Sequence, residues 1–226
     1  MTDDSTLARV RKLLAMAEDP ACTPAEAEAF TAKATDLIAK YGVDQALLAA
    51  ANPAIDPVGD RIVTIVPPYA RDKAGLLAAV AAPLRCRLVH LDRQGTTRSH
   101  LFGHTADLER VELLFTSLLV QAAHGLAAGP VPPGEHVAAY RRSWLAGYAQ
   151  AIQGRLRAAE QSAADAAAPG TDVVLADRTE LVEQRRDEVY PRLARLGPRR
   201  LRGSGLLRGY HAGQIADLGG RPVSSS

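Results

Sequence analysis

The chain has 226 residues, of which 47% are hydrophobic, so it can bury a sizeable core and is not a disordered tail. Its net charge of +2 does not by itself argue for a nucleic-acid partner. Two cysteines far apart in sequence, Cys22 and Cys86, exclude a disulfide framework and fit a reducing compartment.

Aromatics are only 4% of the chain, so Ala, Leu and Val must fill the core, as suits helix-on-helix packing. The N-terminus, MTDDSTLARV, has no apolar signal region. No run reads as the 18 to 20 apolar residues, approximately, of a membrane span. The expected setting is cytoplasmic, with no membrane partner.

Leu7, Val10, Leu13, Leu14 and Ala17 recur at helical spacing and predict a first helix from about Thr6 to Ala17. Glu18-Asp19-Pro20 ends it, because proline disfavours helix in the residue before it. Thr23-Pro24-Ala25-Glu26 reads as a capping box with proline at the first helical position. Ala27, Phe30, Ala34, Leu37 and Ile38 give the buried stripe of a second helix. Gly42 is expected to end it in a left-handed conformation, with Asp44 capping a third short helix through Ala51.

Residues 52–60 read as a linker. Arg61–Val66 is predicted as a strand, Lys73–Ala82 as a helix and Cys86–Leu91 as a strand. After a turn at Arg93–Thr96 comes a returning strand, Arg98–Phe102. A long helix follows, starting at Gly103 or Thr105 and running to about Ala127. Gly129–Gly134 is a second linker. Val137 to about Ala167 and Asp172–Tyr190 are predicted helices. Residues 197–209 read as a basic loop, and a short helix over Gly209–Leu218 closes the chain. The fold class expected is α+β and mainly helical. It comprises a helical hairpin module (1–51), a small β-α-β-β-α unit (60–128) and a C-terminal helical region with an Arg-rich loop (136–221).

The stretch RKLLAMAEDPACTPAEAEAFTAKATDLIAKYGVD carries a basic start, K-L-L-A-x-A, a short joint with proline, an E-A-x-x-A helix and Y-G-V-D. Over residues 7–44 it closely resembles the N-terminal module of the bacterial and phage family called domain of unknown function 2786. A looser likeness continues through Phe102-Gly103, Ser143–Tyr148 and Gly213–Gly220. The resemblance implies an architecture and no reaction, so no catalytic residue is carried over from it.

No metal site is expected, and the hairpin reads as a buried cysteine with surface histidines; the candidate ligands, were there one, are Cys86, His90 and His100. If residue 88 pairs with residue 100, then Cys86, His90 and His100 share a sheet face, a donor set that suits zinc. A one-residue slip would send the histidines to opposite faces. Gly203-Ser204-Gly205 reads as a turn, and no phosphate-cradling glycine motif or nucleophile elbow occurs, so no cofactor is expected.

Charge is distributed unevenly. Eight arginines (185, 186, 192, 195, 199, 200, 202 and 208) face only Asp187 and Glu188 over residues 185–208, a local charge of +6. Residues 1–60 hold ten acids against five bases. The leading expectation is a non-enzymatic binding protein that contacts nucleic-acid phosphates through Arg195, Arg199, Arg200, Arg202 and Arg208. The alternative is a protein-interaction or self-assembly module without nucleic-acid binding. A metal-dependent or other enzyme comes third.

Overall fold

The computed structural model describes residues 3–17, 24–93, 96–194 and 201–216. Cys22, the Thr23–Glu26 capping box, the Glu18–Pro20 helix stop, the turn at Gln94-Gly95 and Arg195, Arg199 and Arg200 lie outside the described residues or side chains. Described elements run in the order α1 (Asp3–Ala17), α2 (Pro24–Ala51), β1 (Val58–Ile65), α3 (Ala70–Ala81), β2 (Arg87–Arg93), β3 (Thr96–His104), α4 (Thr105–Ala128), α5 (Val137–Asp165), α6 (Thr171–Val189) and α7 (Leu206–Gln214). A short 3-10 turn, Pro53–Ile55, joins α2 to β1, with the Asn52 side chain accepting from the Ala54 amide. The fold is mainly helical α+β, as the sequence predicts.

The three strands form one antiparallel sheet in the order β1-β3-β2. One face presents Ile65 and Leu101 to the main core shared with α3, α4 and α5. The other presents Val89 and Phe102 to Val182 of α6. The main core also includes Val10 of α1 and Ala34 and Ile38 of α2, together with Leu77, Leu114, Trp144 and Ile152. The described part of the hairpin's apolar stripe, Leu7, Val10, Ala34 and Ile38, is therefore covered by its own chain. A two-helix unit has too little core to stand alone, and here it borrows that of its neighbours.

Gly42 does not end α2. The helix passes through it to Ala51, and the separate third helix does not exist. Val43 and Ala46 continue the buried face, packing on Leu175 of α6. On the solvent side Lys40 and Asp44 pair at 3.1 Å across the glycine, one turn apart. The tertiary contacts of this face override the stop signal.

The basic loop expected at 197–209 is also shorter. Residues 206–209 begin α7, which lies along α5 at very close range. A Cβ built on Gly209 would stand 1.9 Å from the Trp144 carbonyl oxygen, and one on Gly147 would stand 2.0 Å from that of Leu206. Gly205 and Gly213, each four residues from Gly209, also leave no room for a Cβ, which would stand 2.5 Å from the Tyr140 carbonyl oxygen and 2.7 Å from that of Tyr148. Glycines every fourth residue put one bare stripe on a helix, and here it lets the two backbones meet.

Among the described residues one helix, α4, is long and apolar enough to cross a membrane by length and composition. This departs from the reading that no such run exists. In the fold α4 sends Leu108, Val111, Leu114, Phe115 and Leu118 into the protein, along with a completely buried Arg110.

Candidate functional site

Where α2, α4, α5 and α6 meet, six charged side chains are gathered. Arg110 of α4 has no exposed surface, and it donates to Asp107 at 2.8 Å and to Glu160 of α5. Glu160 also receives Arg85 at 2.6 Å. Arg178 of α6 pairs with Asp107 at 3.2 Å and with Asp56 at 2.6 Å. The second oxygen of Asp56 accepts the Ala106 amide at 2.9 Å, so a residue fifty positions upstream caps α4, where negative charge suits the helix dipole. His104 Nδ1 donates to the Asp56 carbonyl at 2.7 Å.

The network is balanced, three guanidinium groups against three carboxylates. Burial alone would pull Arg110 down, but Glu160 and Asp107 outweigh it and hold its guanidinium above its ordinary value. Burial pulls Arg85 the other way, only partly offset by Glu160. Each carboxylate is met by a guanidinium, and burial still pushes the Glu160 carboxyl above its ordinary value against the pull of Arg110 and Arg85. The cluster joins the helices around it. Gly42 is part of it, since a Cβ there would lie 1.9 Å from Arg110 Nη1 and 2.3 Å from Cζ.

The hairpin register decides the metal candidate. Leu88 pairs with Leu101, Val89 with His100 and His90 with Ser99. This is the one-residue slip from the 88–100 pairing, so His100 faces α6 while Cys86 and His90 belong to the opposite face. Cys86, His90 and His100 do not converge, and no group of three metal-binding side chains occurs among the described residues. Cys86 is buried beneath Gly103, with its thiol directed at the Leu84 carbonyl, and burial pushes that thiol well above its ordinary value.

His100 instead sits in a polar chain. Its Nε2 lies 2.9 Å from Asp60 Oδ2 on β1, and its Nδ1 lies 2.8 Å from the Tyr190 hydroxyl at the end of α6. Phe102 lies tilted against the imidazole with ring centroids 4.2 Å apart and planes at 35°, and Tyr190 meets it edge-on. Arg185 approaches the other Asp60 oxygen at 3.8 Å. No spacing signals this arrangement, because its three members come from positions 60, 100 and 190.

The arginine segment divides in two. Arg185 and Arg186 are tied to Glu188 and Asp187. Arg192, Arg202 and Arg208 are exposed, and no carboxylate among the described residues pairs with them. Arg208 donates to the Pro130 carbonyl at 3.2 Å. Two residues past Arg202 the chain is anchored. The Ser204 amide and hydroxyl donate to the Glu135 carboxylate at 2.7 and 2.6 Å, which holds that carboxyl below its ordinary range. The Gly205 amide donates to Ser143 Oγ at 3.0 Å.

Residues 5–45, α1 and α2 as far as the turn of Gly42, match the family model described as "Protein of unknown function (DUF2786)". The chain carries a DUF2786 module. The matched stretch ends three residues past Gly42, so the DUF2786 module includes the glycine that receives Arg110. No curated protein and no solved structure matches the chain.

Proposed function

We propose that the protein binds nucleic acid through its phosphate backbone, using guanidinium groups of the stretch from the end of α6 into the first turn of α7. The observation that supports this reading is the contrast within one arginine-rich segment. Arg185 and Arg186 are neutralised by neighbouring acids, whereas Arg192, Arg202 and Arg208 are exposed and unmatched by a carboxylate among the described residues. Guanidinium groups take phosphate oxygens in a bidentate fork, and such contacts carry little sequence preference. Anchoring by Glu135 and by the α5–α7 contact holds Arg202 and Arg208 in place beforehand, which lowers the ordering cost of binding. The test is affinity for a fluorescent oligonucleotide at low and moderate salt. Tight binding that weakens steeply with salt supports the reading; absent or salt-insensitive binding overturns it.

A second reading, self-association, has its own observation. From Leu113 to Ala128, α4 bears no formal charge, and Thr116, Val120, Ala123 and Ala127 are exposed along one side of it. A stable oligomer without affinity for nucleic acid would favour this reading over the first.

A further inference from the structure

We propose that Tyr190 is a nucleophile toward a phosphodiester of the bound strand, with His100 as its general base and Asp60 positioning the imidazole. The inference rests on the nucleic-acid reading above and adds a reaction to it. An activated nucleophile needs a base within hydrogen-bond reach, and a third group to orient that base. The chain Tyr190–His100–Asp60 meets both conditions at 2.8 and 2.9 Å. An ionised carboxylate only accepts, so the neutral imidazole carries its proton on Nε2 toward Asp60. The Nδ1 lone pair is thereby left facing the Tyr190 hydroxyl, which is the tautomer a base requires. The base is shielded, with a side chain 9% exposed, while Tyr190 itself is half-buried and keeps part of its surface in solvent.

The substrate class follows from the surrounding charge. Arg192 is exposed two residues past Tyr190, in the segment proposed to hold phosphates. Arg98 is exposed on β3, two residues from His100 and therefore on the same sheet face. Exposed cations on the sheet face of His100 and in the chain just past Tyr190 suit an anionic phosphoryl centre, whose charge such groups stabilise as it is attacked. In the step, Tyr190 Oη bonds to phosphorus and the bond from phosphorus to one sugar oxygen breaks. The phenolic proton passes to His100 Nδ1, and the departing sugar oxygen, on the opposite side of phosphorus, takes its proton from water. The products are a phosphotyrosyl ester and a free sugar hydroxyl. Nothing is oxidised or reduced, no co-reactant is consumed, and reversal rejoins the strand.

The experiment incubates the full chain with end-labelled single-stranded and duplex oligonucleotides. Binding is read by anisotropy, and covalent adduct by denaturing gel and peptide mass, from one preparation. The wild type is expected to form an adduct on the peptide containing Tyr190. Tyr190→Phe keeps the ring packed against Phe102 and Val182. It should bind within twofold of wild type and give at least a hundredfold less adduct. His100→Gln should lose adduct similarly, and Asp60→Asn should slow its formation at least tenfold without abolishing binding. Wild-type binding without adduct, or adduct that survives in Tyr190→Phe, overturns the nucleophile and leaves the phosphate-binding reading standing. Absence of binding overturns both.

Discussion

Gly42 shows how one missing methyl group can decide a helix's place. By helix propensity alone, Gly42→Ala should stabilise α2 by up to about 1 kcal/mol. Here the added carbon would collide with the buried Arg110 guanidinium and push it away from Asp107 and Glu160. Disrupting a buried pair costs about 3–5 kcal/mol, so the variant should unfold at markedly lower urea concentration. A neutral or stabilising outcome would contradict the packing described. The YGVD motif is plain in the sequence, but its reason is not, since Arg110 lies 68 positions away.

Cys86 carries a second prediction at this scale. Burial raises its thiol well above the ordinary value, so the folded state keeps a proton that the unfolded chain releases near pH 8.5, on the order of a free thiol. Stability from this group is complete below that pH and is lost as pH rises through the folded value. Cys86→Ala should therefore show a shallower decline of stability between neutral and alkaline pH than wild type. Equal slopes in a pH series of denaturant melts would refute this.

Among the elements, α7 is the most dependent on small residues. Gly209→Ala would set a methyl group 1.9 Å from the Trp144 carbonyl, with backbone on both sides and no flexible side chain to yield. Overpacking of this sort costs about 1–3 kcal/mol or more and should lift α7 from α5. The single tryptophan, stacked on Tyr148 at 5.2 Å, sits at that contact and reports the change through its fluorescence. Gly154→Ala, with nothing within 4 Å, is the control and should be neutral or slightly stabilising. If both variants behave alike, the close α5–α7 approach is wrong.

Element types were largely readable because periodicity and turn residues are local signals. Strands, long helices and linkers fall near their expected places. What escaped were features set by distant partners. The stop expected at Gly42 is overridden by Arg110 and Leu175. The hairpin register depends on which strand face meets α6, and periodicity gives both faces equally. The stretch expected as a basic loop begins a helix because Gly205, Gly209 and Gly213 match a surface on α5. The Asp60–His100–Tyr190 chain assembles from positions at least 40 apart, and the buried charge network joins Asp56, Glu160 and Arg178 to the Asp107–Arg110 pair on α4 from distant parts of the chain, which no spacing rule encodes.

Across the whole molecule, the DUF2786 module is bound into the same core as the sheet and the long helices. The buried charges tie that core together, and guanidinium groups with no carboxylate partner among the described residues stand outside it, on Arg192, Arg202 and Arg208. On this account the hairpin supports a surface built elsewhere in the chain. The most direct test is the slope of log affinity against log salt for a duplex oligonucleotide. It should be measured for the wild type and for a variant with Arg192, Arg202 and Arg208 all changed to Ala. Each phosphate neutralised contributes about −0.9 to that slope, so the triple variant should bind more weakly, with a slope shallower by roughly 2 to 3. Wild-type binding whose salt slope is unchanged in the triple variant would contradict the account.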